Sequence, residues 1–290
     1  MKHRTKRSRS RNVVSLVFGF FLSLTTLLIT ILLVLRMGIV SRIGFTSVVD
    51  ADYYRYTLDY IEDQTRYYTL PTGIDPQVLD GVFSLDEVKV DVDGMLVGKL
   101  NESGFSPKTD DLRKRLTENV ERMFAADGVS TAEGSSAEEI VASYVDDIMG
   151  IYQDAITMPG IDMIVHVRDE FMQWFVVGLV VCVTLSVVLI ASIVRLHHYR
   201  HRALRYLAYS FGGAALMSFV VPCILFASGF YKGLSVSPQF FYHFCVSLIS
   251  RLFILLMAAS AVLLVIMLVL ILVSSRMRGT AIRRHGHRSR

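Results

Sequence analysis

Few residues in this chain could do chemistry, and their spacing argues against most reactions. Asp91 and Asp93 stand just before Gly94, as acids do in a calcium-binding loop. Aligned on Gly94, such a loop needs an acidic first residue and a glutamate at its twelfth. Those positions hold Lys89 and Leu100, so both aspartates read as solvated surface groups. His197, His198 and His201 could begin a metal site, with His198 and His201 one helical turn apart. No carboxylate or cysteine lies in the basic segment around them to complete or orient a shell. With Arg200 and Arg202 they suit contact with anionic lipid headgroups, and His285 and His287 read the same way. His166 is the remaining acid–base candidate, with Asp162, Asp169 and Glu170 close along the chain. General acid–base catalysis needs a positioned group of tuned pKa, and this spacing alone supplies none. No glycine-rich phosphate loop, Cys-x-x-Cys pair, nucleophile elbow or HExxH occurs. The expectation is a chain with no catalytic residues, no metal site and no cofactor, and not an enzyme.

The charges are segregated along the chain. All 26 Asp and Glu lie between Asp50 and Glu170, a window with ten Lys and Arg and a net charge of −16. The N-terminal tail holds Lys2, Arg4, Lys6, Arg7, Arg9 and Arg11 without an acid. The tail after Ser275 holds Arg276, Arg278, Arg283, Arg284, Arg288 and Arg290, again without an acid. Such separation is what a membrane imposes on a chain that crosses it.

Four uncharged apolar runs are long enough to cross: Val13–Leu35, Trp174–Val194, Leu207–Phe230 and Leu252–Val273. About 20 residues of helix span a hydrocarbon core, and in lipid the backbone must satisfy its own hydrogen bonds. The first run is read as an uncleaved signal anchor, because no small-residue cleavage site follows it. Basic residues flank the cytoplasmic ends of spans. The tail 1–12, the loop 195–206 with four arginines, and the tail 274–290 all fall on one side. Both termini are therefore placed in the cytoplasm, with the segment 36–172 and the short loop 231–250 outside. The fold class expected is all-α: a four-helix transmembrane protein with an acidic helical extracytoplasmic domain between spans one and two.

Within the spans there is no Asp, Glu, Lys or His, which leaves coupled ion transport without a carrier. Arg251 precedes 22 apolar residues, a count that places it at the outer interface, where its stem can snorkel. His243 lies two turns further out. Pro222 is expected to kink the third span. Ser210, Ala214 and Ser218 form a small-residue stripe that permits close helix approach, and Gly19 and Ser23 can do the same in the first span.

Helices are expected in the acidic segment near 46–69, 76–83, 85–100, 109–126 and 137–157. Asp75-Pro76 reads as a cap followed by proline at the first helical position. Ser84 to Glu87 and Ser136 to Glu139 fit capping boxes. Ile140, Tyr144, Ile148, Tyr152 and Ile156 recur every four residues, with Val141 and Val145 widening the stripe. Leu112, Leu116, Val120, Met123 and Phe124 form another, ended by Gly128 as C-cap. Tyr53, Tyr56, Tyr60 and Tyr67 share one helix face and read as domain core or membrane-interface contact rather than a ligand cage. Residues 87–100 are in conflict: their alternation and Asp93-Gly94 suggest a hairpin, while the cap and four-residue spacing favour a helix.

Cys182, Cys223 and Cys245 all lie outside the acidic segment, which must be stable without disulfides and so fits a bacterial envelope protein. The topology, though no motif, resembles that of ABC permeases that transmit force from the cytoplasm to an outer domain. The expected function is non-enzymatic: a multi-pass protein of the cell membrane whose outer domain senses, scaffolds or binds an envelope protein. Its other contacts are the bilayer and anionic lipid at the cytoplasmic face, with no nucleic acid. A permease-like subunit working with a separate ATPase is the alternative, and a membrane enzyme comes last.

Overall fold

The computed structural model describes residues 2–40, 48–101, 105–126, 128, 136–157, 161–196, 200–233 and 235–286. Among them there is no strand. The α-helices are α1 (Lys2–Leu35), α2 (Ala51–Thr69), α3 (Leu85–Leu100), α4 (Asp110–Ala126), α5 (Ser136–Ile156), α6 (Ile161–Leu196), α7 (Arg200–Ser228) and α8 (Gln239–Gly286). Four helices are long and apolar enough to cross a membrane: Val13–Gly38, the helical stretch ending in α6 at Leu196, Ala203–Ser228 and Gln239–Met277. The chain divides into two compact units, one of residues 1–41, 170–233 and 249–290, the other of residues 42–169 and 234–248.

The first unit holds the apolar helices. α1 lies along α7 where both present small residues. A Cβ added at Gly213 would sit 2.9 Å from the Ser23 hydroxyl, and one at Gly19 would sit 3.2 Å from that of Ser210. Ser210, Ala214 and Ser218 are buried here, as the small-residue stripe requires. Their hydroxyls do not need a partner across the interface. Ser210 donates to the Tyr206 carbonyl and Ser218 to that of Ala214, each at 2.9 Å. Ser186 of α6 donates to Thr25 of α1 at 3.0 Å. Pro222 is buried inside α7, which runs through it as far as Ser228. Outward, Val176, Leu216 and Val265 are each about 60% exposed, a surface suited to lipid rather than water.

The second unit is a helical domain closed by the beginnings of α6 and α8. Its core runs from Val48 through Tyr53, Ile61, Val88, Leu96, Leu116, Ile148 and Tyr152 to Phe240 and Phe244. The local signals for α2 and α3 are side-chain caps. Asp50 accepts from the Tyr53 amide at 3.0 Å and Ser84 from the Glu87 amide at 3.3 Å. Each satisfies a donor the first helical turn leaves free. Glu87 does not complete its box in return; it pairs instead with Arg115 of α4 at 2.6 Å. The side chain of Ser136 lies outside those described.

Residues 85–100 form the helix expected there, and no hairpin forms; other local expectations change. Gly94 sits mid-helix because the Phe105 ring packs where its Cβ would be. The expected helix 76–83 is only a 3₁₀ turn at Pro76–Leu79, held by Asp75 accepting from the Gln77 amide at 2.9 Å. It stops because Asp80 turns extended and Gly81 takes the left-handed φ of +74°. Gly128 does end its helix, with φ +73°. The α5 stripe begins at Val141, and Ile140 is exposed.

Asp91 is not a solvated surface group. It is 5% exposed and accepts from the Tyr152 hydroxyl at 2.8 Å. On α2 the buried residues are Tyr54 and a row at every fourth position, Tyr53, Thr57, Ile61, Thr65 and Thr69. At 3.6 residues per turn that row winds about 40° per step. By the end of α2 it has turned away from the tyrosine face, which leaves Tyr67 77% exposed.

Candidate functional site

The start of α2 and the start of α8 meet within the helical domain. Phe240 and Phe244 are fully buried against Tyr53, ring centroids 5.7 and 6.4 Å apart and edge on. Tyr60 meets Phe240 at 5.3 Å and Tyr56 meets His243 at 5.4 Å. So three of the four tyrosines singled out in the sequence pack on the first turns of α8, and Tyr67 does not. Edge-on aromatic pairs of this kind gain about 0.5–1.5 kcal/mol each beyond the area they bury.

That packing brings His243 to two acids. Asp50, Asp52 and His243 each direct one ligand-type atom to a point where all three atoms lie within 4.8 Å of one another. His243 Nδ1 is 3.8 Å from Asp50 Oδ1, too far for a hydrogen bond. The nitrogen is shielded from solvent and has no hydrogen-bond partner. Asp50 is fixed by its cap bond to Tyr53, and a carboxylate so engaged still has free lone pairs. Asp52 is exposed in the first helical turn, where a negative charge suits the helix dipole.

Tyrosine hydroxyls occupy several other acids of this domain. Tyr54 donates to Asp93 at 2.6 Å, Tyr68 to Asp147, and Tyr152 to Asp91. Burial, then the aspartate hydrogen bond, pushes Tyr54 and Tyr152 above the ordinary tyrosine range. Burial does the same for Tyr53. These phenols stay protonated; Tyr54 and Tyr152 act as donors, while the Tyr53 hydroxyl is buried without a hydrogen-bond partner.

His166 is exposed on α6. Two of the three acids near it in sequence are engaged elsewhere: Asp162 with Lys99 at 2.7 Å, and Asp169 with Arg168 at 3.6 Å. No acid–base pair forms there among the described residues. Arg251 is half-buried in the first unit, with its Nε shielded and unbonded. Pro222 lies in the first unit, inside α7. The histidines of 197–199 lie outside the described residues.

Two open grooves mark the domain surface. One of about 440 Å³ lies between α2 and α5, lined by Tyr68, Ile74, Ile140, Tyr144 and Asp147. Another of about 300 Å³ lies beside Asp75, Asp80, Asn119 and Arg122. Neither gathers a nucleophile with a base. The Asp50–Asp52–His243 group escaped sequence reasoning because its members sit on separate elements far apart in the chain; the only local signal was Asp50 as a cap before a tyrosine-rich helix. No family model, no curated protein and no solved structure matches the chain.

Proposed function

We propose that the chain is a multi-pass protein of the cell membrane whose acidic helical domain projects on the extracytoplasmic side and works by binding a protein partner of the envelope. The observation that carries this reading is the segregation of charge. Every acid lies between Asp50 and Glu170, and the two tails and the 195–206 loop are basic. Basic flanks stay in the cytoplasm during insertion, which puts both termini there and the acidic segment across the bilayer. The use of tyrosines and arginines to hold the domain's acids in structural bonds favours binding over a chemical step. The basic segments then rest on anionic lipid at the cytoplasmic face.

Cysteine labelling tests the topology, in a background with Cys182, Cys223 and Cys245 changed to Ser. Ser106→Cys should react with a membrane-impermeant maleimide in spheroplasts, and Ser289→Cys only after permeabilisation. The reverse pattern would overturn the orientation. For the mode of action, His166→Gln keeps side-chain size and removes the imidazole, and function should be nearly unchanged. A hundredfold loss in a protein that is still folded and inserted would establish an enzyme instead.

A further inference from the structure

We infer that Asp50, Asp52 and His243 form a site for a first-row divalent metal ion of the zinc type, which clips the start of α8 onto the start of α2. Three observations converge on one point. The ligand atoms of two carboxylates and one imidazole lie within 4.8 Å of one another. His243 Nδ1 is shielded from water yet bonded to nothing. Two of the three groups are held in place by unrelated contacts, Asp50 by the Tyr53 amide and His243 by the Tyr56 ring.

A simple ion pair accounts for less of this. His243 Nδ1 stands 3.8 Å from Asp50 Oδ1, where a direct charge-assisted hydrogen bond would close to about 2.8 Å. Zinc bonds to nitrogen and oxygen at about 2.0–2.2 Å, so two ligands of a tetrahedral ion stand roughly 3.3–3.5 Å apart. The Asp50–His243 separation is within a side-chain adjustment of that spacing. Asp52, exposed and free to rotate, can supply the third ligand, and water the fourth. An imidazole ligand and only two carboxylates disfavour calcium and magnesium, which take mostly oxygen shells. The ion would also offset two carboxylates that now face one histidine.

The consequence is mechanical. Residues 234–248 enter the domain through Phe240 and Phe244. A metal bonded to His243 would add a polar clip to that apolar contact.

The test uses the full chain in detergent, with His197, His198, His201, His285 and His287 replaced by Gln to remove adventitious histidine sites. Zinc binding is measured by calorimetry against Ca²⁺ in excess, and Co²⁺ by its visible absorption. One ion should bind per chain and should slow proteolytic cleavage around residues 234–238. His243→Gln and Asp52→Asn should each weaken binding at least about tenfold. Asp52 is exposed, so its variant reads binding without disturbing the core. Absence of zinc binding, or binding undiminished in either variant while the metal-free protein melts normally, would overturn the inference.

Discussion

Tyr152→Phe isolates one buried hydrogen bond and puts a magnitude on it. Tyr152 is fully buried and its hydroxyl donates to Asp91 at 2.8 Å, itself only 5% exposed. The substitution keeps the ring, which stacks on Phe83 at 5.8 Å with planes 8° apart. No cavity larger than a hydroxyl results, so the loss is almost wholly polar. A hydrogen bond to a charged group is worth about 1.5–3 kcal/mol, and a buried carboxylate left unpaired adds to its absence. About 2 kcal/mol is therefore expected, a fall in Tm of roughly 4–8 °C for a unit of this size. The assay is thermal unfolding of the purified protein followed by near-ultraviolet circular dichroism. Asp91→Ala and the double variant complete a cycle, and the coupling should exceed about 1 kcal/mol. Additivity within about 0.5 kcal/mol would show that Asp91 finds water in the folded state, and the argument for a sealed Tyr–Asp pair would fail.

The remaining expectations are these. Phe240→Ala should destabilise the helical domain by about 3–5 kcal/mol, seen as faster proteolysis within residues 48–169, because the ring is fully buried on Tyr53 and Tyr60. Gly213→Val should weaken the α1–α7 contact by about 1–3 kcal/mol in a thermal melt, since even a Cβ there would stand 2.9 Å from the Ser23 hydroxyl; Gly233→Val, with open space around it, should not. Tyr53, Tyr54 and Tyr152 are raised in the folded state from an ordinary value of 10.0, so their contribution is intact below pH about 10 and lost as the pH climbs above it. Tyrosinate absorbance should accordingly rise together with unfolding; ionisation of all tyrosines before any loss of structure would contradict their burial.

Elements set by local rules were readable from the sequence, and those set by long-range packing were not. Val13–Leu35 is apolar over its whole length, and no tertiary contact is needed to read it as a helix. The caps at Asp75 and Ser84 follow from side chains that reach amides two or three residues away, whereas a helix start near 46 passes over the cap that Asp50 makes. Val88, Val92 and Leu96 at four-residue spacing outweighed the hairpin signal of Asp93-Gly94, because a buried stripe fixes a helix more firmly than one turn dipeptide. Failures arose where the third dimension decides. Thr57, Thr65 and Thr69 look polar but are core, since each hydroxyl donates back to its own helix, at 2.9, 2.7 and 2.7 Å. Asp91 looked solvated because its tyrosine partner is 61 residues away. Phe240, Phe244 and His243 looked like a short loop leading into a span, and only folding carries them to α2. Their one trace in the sequence is an aromatic run, Phe240-Phe241-Tyr242-His243-Phe244, denser than a simple loop needs.

The acidic excess of the domain must be borne by its core, and this constrains what its surface can do. The ion pairs Arg66–Asp80, Lys99–Asp162 and Arg113–Asp146 join side chains that are all more than 40% exposed. Each is worth at most about 1 kcal/mol and is screened by salt. In the less exposed Arg115–Glu87 pair one guanidinium nitrogen, Nη2, donates to both carboxylate oxygens, at 2.6 and 2.7 Å, and joins α4 to α3. Ten basic residues cannot neutralise 26 acids, so a net negative field remains however the pairs are arranged. Its self-repulsion opposes compactness, and the buried aromatic and aliphatic side chains offset it. A surface kept this acidic against its own stability is suited to a partner with a basic face. Under the proposed function, affinity for that partner falls as ionic strength rises, because exposed charges more than about 8–10 Å apart are screened at physiological salt. A partner whose affinity for the domain is indifferent to salt would bind through uncharged contacts instead, such as the groove with Ile74, Ile140 and Tyr144, and the charge would then serve insertion and solubility alone.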